Sequence, residues 1–239
     1  MEKPLLKHIG IVACSAEGAA LCFRTICAEG PAIAGRHAHP EISLHCHALS
    51  HYMELIYRDD WRGVADLMLD SASRLQRIGA DFLITPDNTI HQALDLVRDR
   101  SPLPWLHIAE EVAAEAARRG FKRVGLTGTK YLMEGPVYPP KFAARGIEHR
   151  IPPLAQRERI NTIIFDELVN ADFRPESLAY FQQVIRDLQA EGCDAVALSC
   201  TEIPLLVTPE NSPLPTLDST RLLARAALRY ATSAAGANP

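Results

Sequence analysis

The chain has 239 residues, 47% hydrophobic and 23% charged, with 13 Gly and 17 Pro. This is the composition of a soluble globular protein and excludes disordered, collagen-like and coiled-coil chains. A formal net charge of −4 supplies no basic field, so nucleic acid is not expected as a partner. No membrane span is expected either, because Glu202 interrupts the longest apolar run, Cys193 to Val207, short of the ~18 residues required.

In chain order, Lys7 to Ala13 reads as a buried strand. Its end, Ile11-Val12-Ala13-Cys14, resembles a lipoprotein cleavage site. The apolar stretch before Cys14 is shorter than the ~7 residues of a signal core, so a cytoplasmic chain is expected. His37, His39, His45, His47 and His51 fall in a loop-then-strand segment with no HExxH pattern. His45 and His47 would share one strand face, and no metal is expected there. Asp60 to Ile78 carries Val64, Leu67, Met68, Ser71, Leu75 and Ile78 at helical spacing. A short strand over Gly79 to Ile84 follows, then Thr85-Pro86-Asp87-Asn88-Thr89-Ile90-His91 and a helix over Ile90 to Arg98.

The second half repeats the first. The phrase Gly79-Ala80-Asp81-Phe82-Leu83-Ile84 returns as Gly192-Cys193-Asp194-Ala195-Val196-Ala197. Ser-Pro-Leu-Pro at 101–104 returns at 212–215, each copy followed by an Ala-rich helix, Glu110 to Arg119 and Thr220 to Tyr230. The strand at Lys7 returns at Lys122 to Gly128, and the helix before Gly79 returns as Pro175 to Ala190. Three segments in one order at nearly one offset indicate duplication. The expected fold is α/β with two similar lobes, each a parallel sheet flanked by helices, related by a pseudo-twofold duplication. Residues 1–104 plus 216–239 would form the first lobe and 105–215 the second. Ligands bind beyond the carboxyl ends of such sheets, so the active site is expected in a cleft shared by the lobes.

The repeat aligns Asp87 with Cys200, one ionisable group per lobe. Placed on opposite sides of one ligand, they suit removal of a proton from one face of a carbon and its return to the other. Asn88, Thr89 and Thr201 offer hydrogen-bond donors to a carboxylate or its enediolate. Ser15, Thr127 and Thr129 lie at or just after the first strand of each lobe and are candidate substrate ligands, with plain turn roles the alternative for Ser15 and Thr129. Glu202 would tune Cys200 or cap a helix, and His91 would orient Asp87 or sit in the core. The six cysteines include no C-x-x-C pair and read as reduced core residues, apart from Cys200. Gly10 and Gly125 form no nucleotide-binding loop, so no dinucleotide is expected.

The Asn-Thr-x-His phrase at 88–91 and the Cys-Thr-Glu-Ile phrase at 200–203 resemble the aspartate/glutamate racemase superfamily. Gly125 to Thr129, Tyr138 and Ala143 to Glu148 extend that resemblance over Ile9 to about Arg229. It implies a cofactor-independent amino-acid racemase or epimerase, free of pyridoxal phosphate and homodimeric, moving a proton alpha to a carboxylate between two cysteines. Here Asp87 replaces the first cysteine. The substrate-binding lysine of aspartate-specific members falls near Val169, and no arginine stands between Ser43 and Tyr52, where His47 could line the pocket mouth instead. Reference pKa values near 3.9 and 8.5 make the resting pair carboxylate and thiol, and exchanging that proton costs about 6 kcal/mol unless the pocket levels them. Single-cysteine relatives, the arylmalonate decarboxylases and maleate isomerases, leave decarboxylation or cis–trans isomerisation of a small dicarboxylate open. A catalytically silent amino-acid binder is the remaining alternative.

Overall fold

The computed structural model describes residues 6–233; the segments 1–5 and 234–239, assigned above to the first lobe, lie outside the described residues. Two compact units divide the chain: Met1–Ile108 with Leu223–Pro239, and Ala109–Leu222. Among the described residues no helix is long and apolar enough to cross a membrane.

In the first unit β1 (Ile9–Ala13) is central, flanked by β2 (Ile42–Cys46) and β3 (Phe82–Ile84), all parallel. The helices between them are α1 (Ala16–Glu29), α2 (Pro31–Ala34), α3 (Leu49–Tyr57) and α4 (Trp61–Arg77), with α5 (Leu94–Arg98) after β3. Every residue of β1 is buried, as expected for a parallel strand covered on both faces. One covering layer is the apolar stripe of α4, which packs on β1 and β2. The other comes from the chain's return: Leu223, Ala224 and Ala227 join Ile9, Ile11, Phe82 and Ile84 in one cluster.

The second unit opens within α6 (Ile108–Arg118) and carries a four-stranded parallel sheet. Its strands are β4 (Arg123–Thr127), β5 (Glu148–Arg150), β6 (Ala195–Leu198) and β7 (Thr216–Asp218), in the order β5-β4-β6-β7. Short α7 (Lys130–Met133) and α8 (Pro139–Ala143) precede β5, while α9 (Leu154–Asp166) and α10 (Pro175–Ala190) precede β6. The short α11 (Ile203–Leu206) follows β6, and α12 (Ser219–Thr232) carries the chain back into the first unit. Alternate residues of β6 point to opposite faces. Ala195 and Ala197 meet the cluster of Tyr138 and Phe142, whereas Val196 and Leu198 meet Phe181, Val184 and Leu188 of α10.

The duplication is written in individual hydrogen bonds. Asp81 accepts the His8 N–H at 2.6 Å, and Asp194 accepts the Lys122 N–H at 2.7 Å, so one carboxylate caps the start of each central strand. Gly79 and Gly192 end the preceding helices at φ of 94° and 86°, the left-handed region that suits glycine. In each copy of Ser-Pro-Leu-Pro the serine hydroxyl donates to the leucine carbonyl at 2.7 Å. The following proline carbonyl accepts from Leu83 in one unit and Val196 in the other. The first unit's counterpart of β7 is reduced to a single parallel bridge, Leu83 to Trp105.

Several expectations shift. The strand read from Gly79 begins only at Phe82, because Gly79 turns the chain and Asp81 is held by His8. The helix read over Ile90 to Arg98 is a 3₁₀ turn, Thr89–Ala93, running into α5. All six cysteines are free thiols, but Cys46 is exposed and Cys27 half-buried, so these two are not core residues.

Candidate active site

The carboxyl edge of each sheet carries the residues singled out from sequence. In the first unit, Ser15 follows β1 and caps α1, its hydroxyl accepting the Gly18 N–H at 3.3 Å. Asp87 follows β3 after the buried pair Thr85 and Pro86. It is half-buried, and its Oδ1 accepts the Ile90 N–H at 3.0 Å, so the turn-capping role is present. Asn88 is buried beside it and Thr89 half-buried.

His91 holds the Asp87 backbone. Its Nε2 accepts the Ile108 N–H at 3.1 Å, which leaves Nδ1 as the protonated nitrogen, donating to the Asp87 carbonyl at 2.6 Å. The ring is buried against His107, with centroids 4.7 Å apart. The imidazole is therefore a neutral strut between the Asp87 turn and the start of α6. His91→Ala is expected to strand a buried N–H and lower the unfolding free energy by about 1–3 kcal/mol, measured by urea denaturation.

Sequence reasoning passed over Tyr52. It is fully buried on α3. Burial pushes its phenol well above the ordinary range, and the nearby Cys14 and Asp87 push it in the same direction. Tyr52 is thus a neutral phenol within electrostatic reach of Asp87. Its sequence signal was slight: a buried pair with Ile56, one helical turn away on α3.

In the second unit Cys200, Thr201 and Glu202 form one connected group. The Cys200 thiol donates to Glu202 Oε2 at 3.0 Å, and the Thr201 hydroxyl donates to the same oxygen at 3.0 Å. All three are buried, Glu202 to within 2% exposure, and its Oε1 has no hydrogen-bond partner among the described residues. Glu202 therefore sits against the thiol as its hydrogen-bond acceptor. Gly128, at the end of β4, allows this loop to approach, since a Cβ there would stand 2.8 Å from the Ser199 carbonyl.

Thr129 caps α7 by accepting the Leu132 N–H at 3.2 Å, the counterpart of Ser15. Thr127 is placed differently from the expectation. It is fully buried and its only hydroxyl hydrogen goes to the Ala197 carbonyl at 2.9 Å, leaving none for a substrate carboxylate. Cys193 is also no competitor to Cys200, because burial pushes its thiol up to about 11.

The family model for Asp/Glu/hydantoin racemases matches residues 17–227. The chain is similar to a Yersinia pestis protein solved as a candidate Asp/Glu racemase, with a TM-score of 0.86 and 31% identity over 95% of this chain and 100% of that one. An aspartate racemase homologue from Pyrococcus horikoshii OT3 has the same fold, with a TM-score of 0.82 and 24% identity over 95% and 100% of the two chains. RacX of Bacillus subtilis (strain 168), a broad-specificity amino-acid racemase, is 25% identical over 161 residues, 66% of this chain and 68% of its own. A match over most of the chain, joined to two parallel α/β units, places it: this chain belongs to the Asp/Glu/hydantoin racemase family and is an isomerase.

Proposed function

We propose that the chain is a cofactor-independent amino-acid racemase or epimerase in which Asp87 and Cys200 exchange protons with the α-carbon from opposite faces. The observation that carries this reading is positional. Asp87 and Cys200 follow equivalent strands, β3 and β6, in units with matching hydrogen bonds, and each is fixed by its own unit. Asp87 is the acceptor of the resting pair and Cys200, already donating its hydrogen, is the acid. Glu202 takes up the thiol proton when Cys200 must act as base. Asn88, Thr89 and Thr201 suit the substrate carboxylate. Ser15 and Thr129 act through the helix starts they cap. The resemblance to amino-acid racemases further supports a pyridoxal-free, cytoplasmic homodimer acting on a small amino acid.

The test is exchange at Cα. The protein is incubated in D₂O with single enantiomers of a panel of amino acids and followed by proton NMR and chiral chromatography. Loss of the α-proton signal together with formation of the opposite enantiomer is expected. A thiol already donating its hydrogen also suits single-cysteine protonation. Release of carbon dioxide from arylmalonates, or conversion of maleate without Cα exchange, selects those reactions instead. Binding without any turnover selects the silent binder.

A further inference from the structure

From sequence His45 and His47 merely share a strand face; the structure adds a third group from a distant helix. β2 lies beside α4, and this brings Asp70 of α4 to the two imidazoles. One ligand atom from each of His45, His47 and Asp70 lies within 4.8 Å of the others. We propose that these three side chains bind a divalent first-row transition ion.

Two nitrogens and one carboxylate oxygen form a donor set suited to zinc, nickel, cobalt or iron, with at least one position left for water. His47 Nε2 is buried and lies 2.9 Å from Asp70 Oδ2. Two ligand atoms thus converge on one point. Ligands of one tetrahedral ion, each about 2.1 Å from it, stand about 3.4 Å apart. Small side-chain rotations bring the three groups to that spacing. The Ser71 hydroxyl, 2.9 Å from His45 Nδ1, fixes that ring, as hydrogen bonds behind metal ligands commonly do. One feature opposes binding: Arg74 Nε lies 2.8 Å from Asp70 Oδ2. Its side chain is half exposed and can turn to solvent, so the ion competes with a surface ion pair of small worth.

This competition gives the test its sharpest arm. The chelator-treated full chain is titrated with cobalt(II) chloride at neutral pH, following visible absorption and equilibrium dialysis. One equivalent is expected to bind per chain, without a thiolate-to-cobalt charge-transfer band. His47→Gln and Asp70→Asn should each weaken binding by about tenfold or more. Arg74→Gln should strengthen it several-fold, and Cys46→Ser, on the exposed thiol nearest in sequence, should leave it unchanged. Circular dichroism checks that each variant is folded, and the Arg74 arm remains decisive if a ligand variant is not. Failure of the unaltered chain to bind, binding indifferent to Arg74→Gln and His47→Gln, or a thiolate band abolished by Cys46→Ser would each overturn the proposal.

Discussion

Cys200→Ala is expected to lower Cα exchange by ~10²–10⁴-fold, the range a positioned proton-transfer group contributes. The buried thiol donates to the Glu202 carboxylate, so its removal takes away one of the two hydrogens that Oε2 accepts and leaves the one from Thr201. Two controls separate lost chemistry from lost structure. Cys193→Ala removes a buried thiol in the core beside β6 and should reduce stability while leaving exchange in the folded fraction unchanged. Glu202→Gln keeps the side-chain size but can no longer take up the thiol proton. If Cys200 is the acid–base group, Glu202→Gln should lower kcat and alter its pH profile, with the fold retained. Full exchange activity in Cys200→Ala would rule out Cys200 as a proton-transfer group.

Asp87→Asn should be nearly as damaging, by ~10²-fold or more, because the amide keeps the cap on Ile90 but cannot accept a proton. A more informative variant is Asp87→Cys, which restores a two-thiol pair. With equal reference pKa values the ~6 kcal/mol imbalance between carboxylate and thiol disappears. The equilibrium constant of a racemisation is one, so kcat/KM is the same for both enantiomers whatever the pair. The imbalance appears instead in kcat and KM, which should differ between enantiomers in the same proportion. Asp87→Cys should bring the two kcat values together, measured by circular dichroism from each pure enantiomer. Equal kcat values in the unaltered enzyme, unchanged by this substitution, would show that Asp87 does not set the asymmetry.

The duplication was legible because hydrophobic runs and turn residues are local. Gly79 and Gly192 must adopt left-handed φ, and Asp81 and Asp194 must cap neighbouring strands, so both leave recurring phrases in the sequence. The equivalent positions of Asp87 after β3 and Cys200 after β6 were legible for the same reason, since equal offsets give equal topological positions. Thr127 was misjudged because position alone does not reveal a partner. Sequence places its hydroxyl at the strand end, and only the β4–β6 register gives that hydrogen to Ala197. The Ile90 to Arg98 helix was misjudged at its start, where Asp87 and His91 tie the chain into a tighter 3₁₀ turn.

Composition, charge and internal repetition by themselves determined the class of molecule, the two-unit α/β plan and the pair of residues on which the chemistry is proposed to turn. These depend on periodicity and spacing, which a chain carries before it folds. The tertiary structure decided how each group is held and what state it is in. It brought Glu202 against the Cys200 thiol, set His91 as a neutral strut behind Asp87, and buried the Tyr52 phenol near that carboxylate. It also joined Asp70 to His45 and His47 across a strand and a helix. Such contacts depend on how helices lie over sheets, and that geometry follows from side-chain packing across long stretches of sequence.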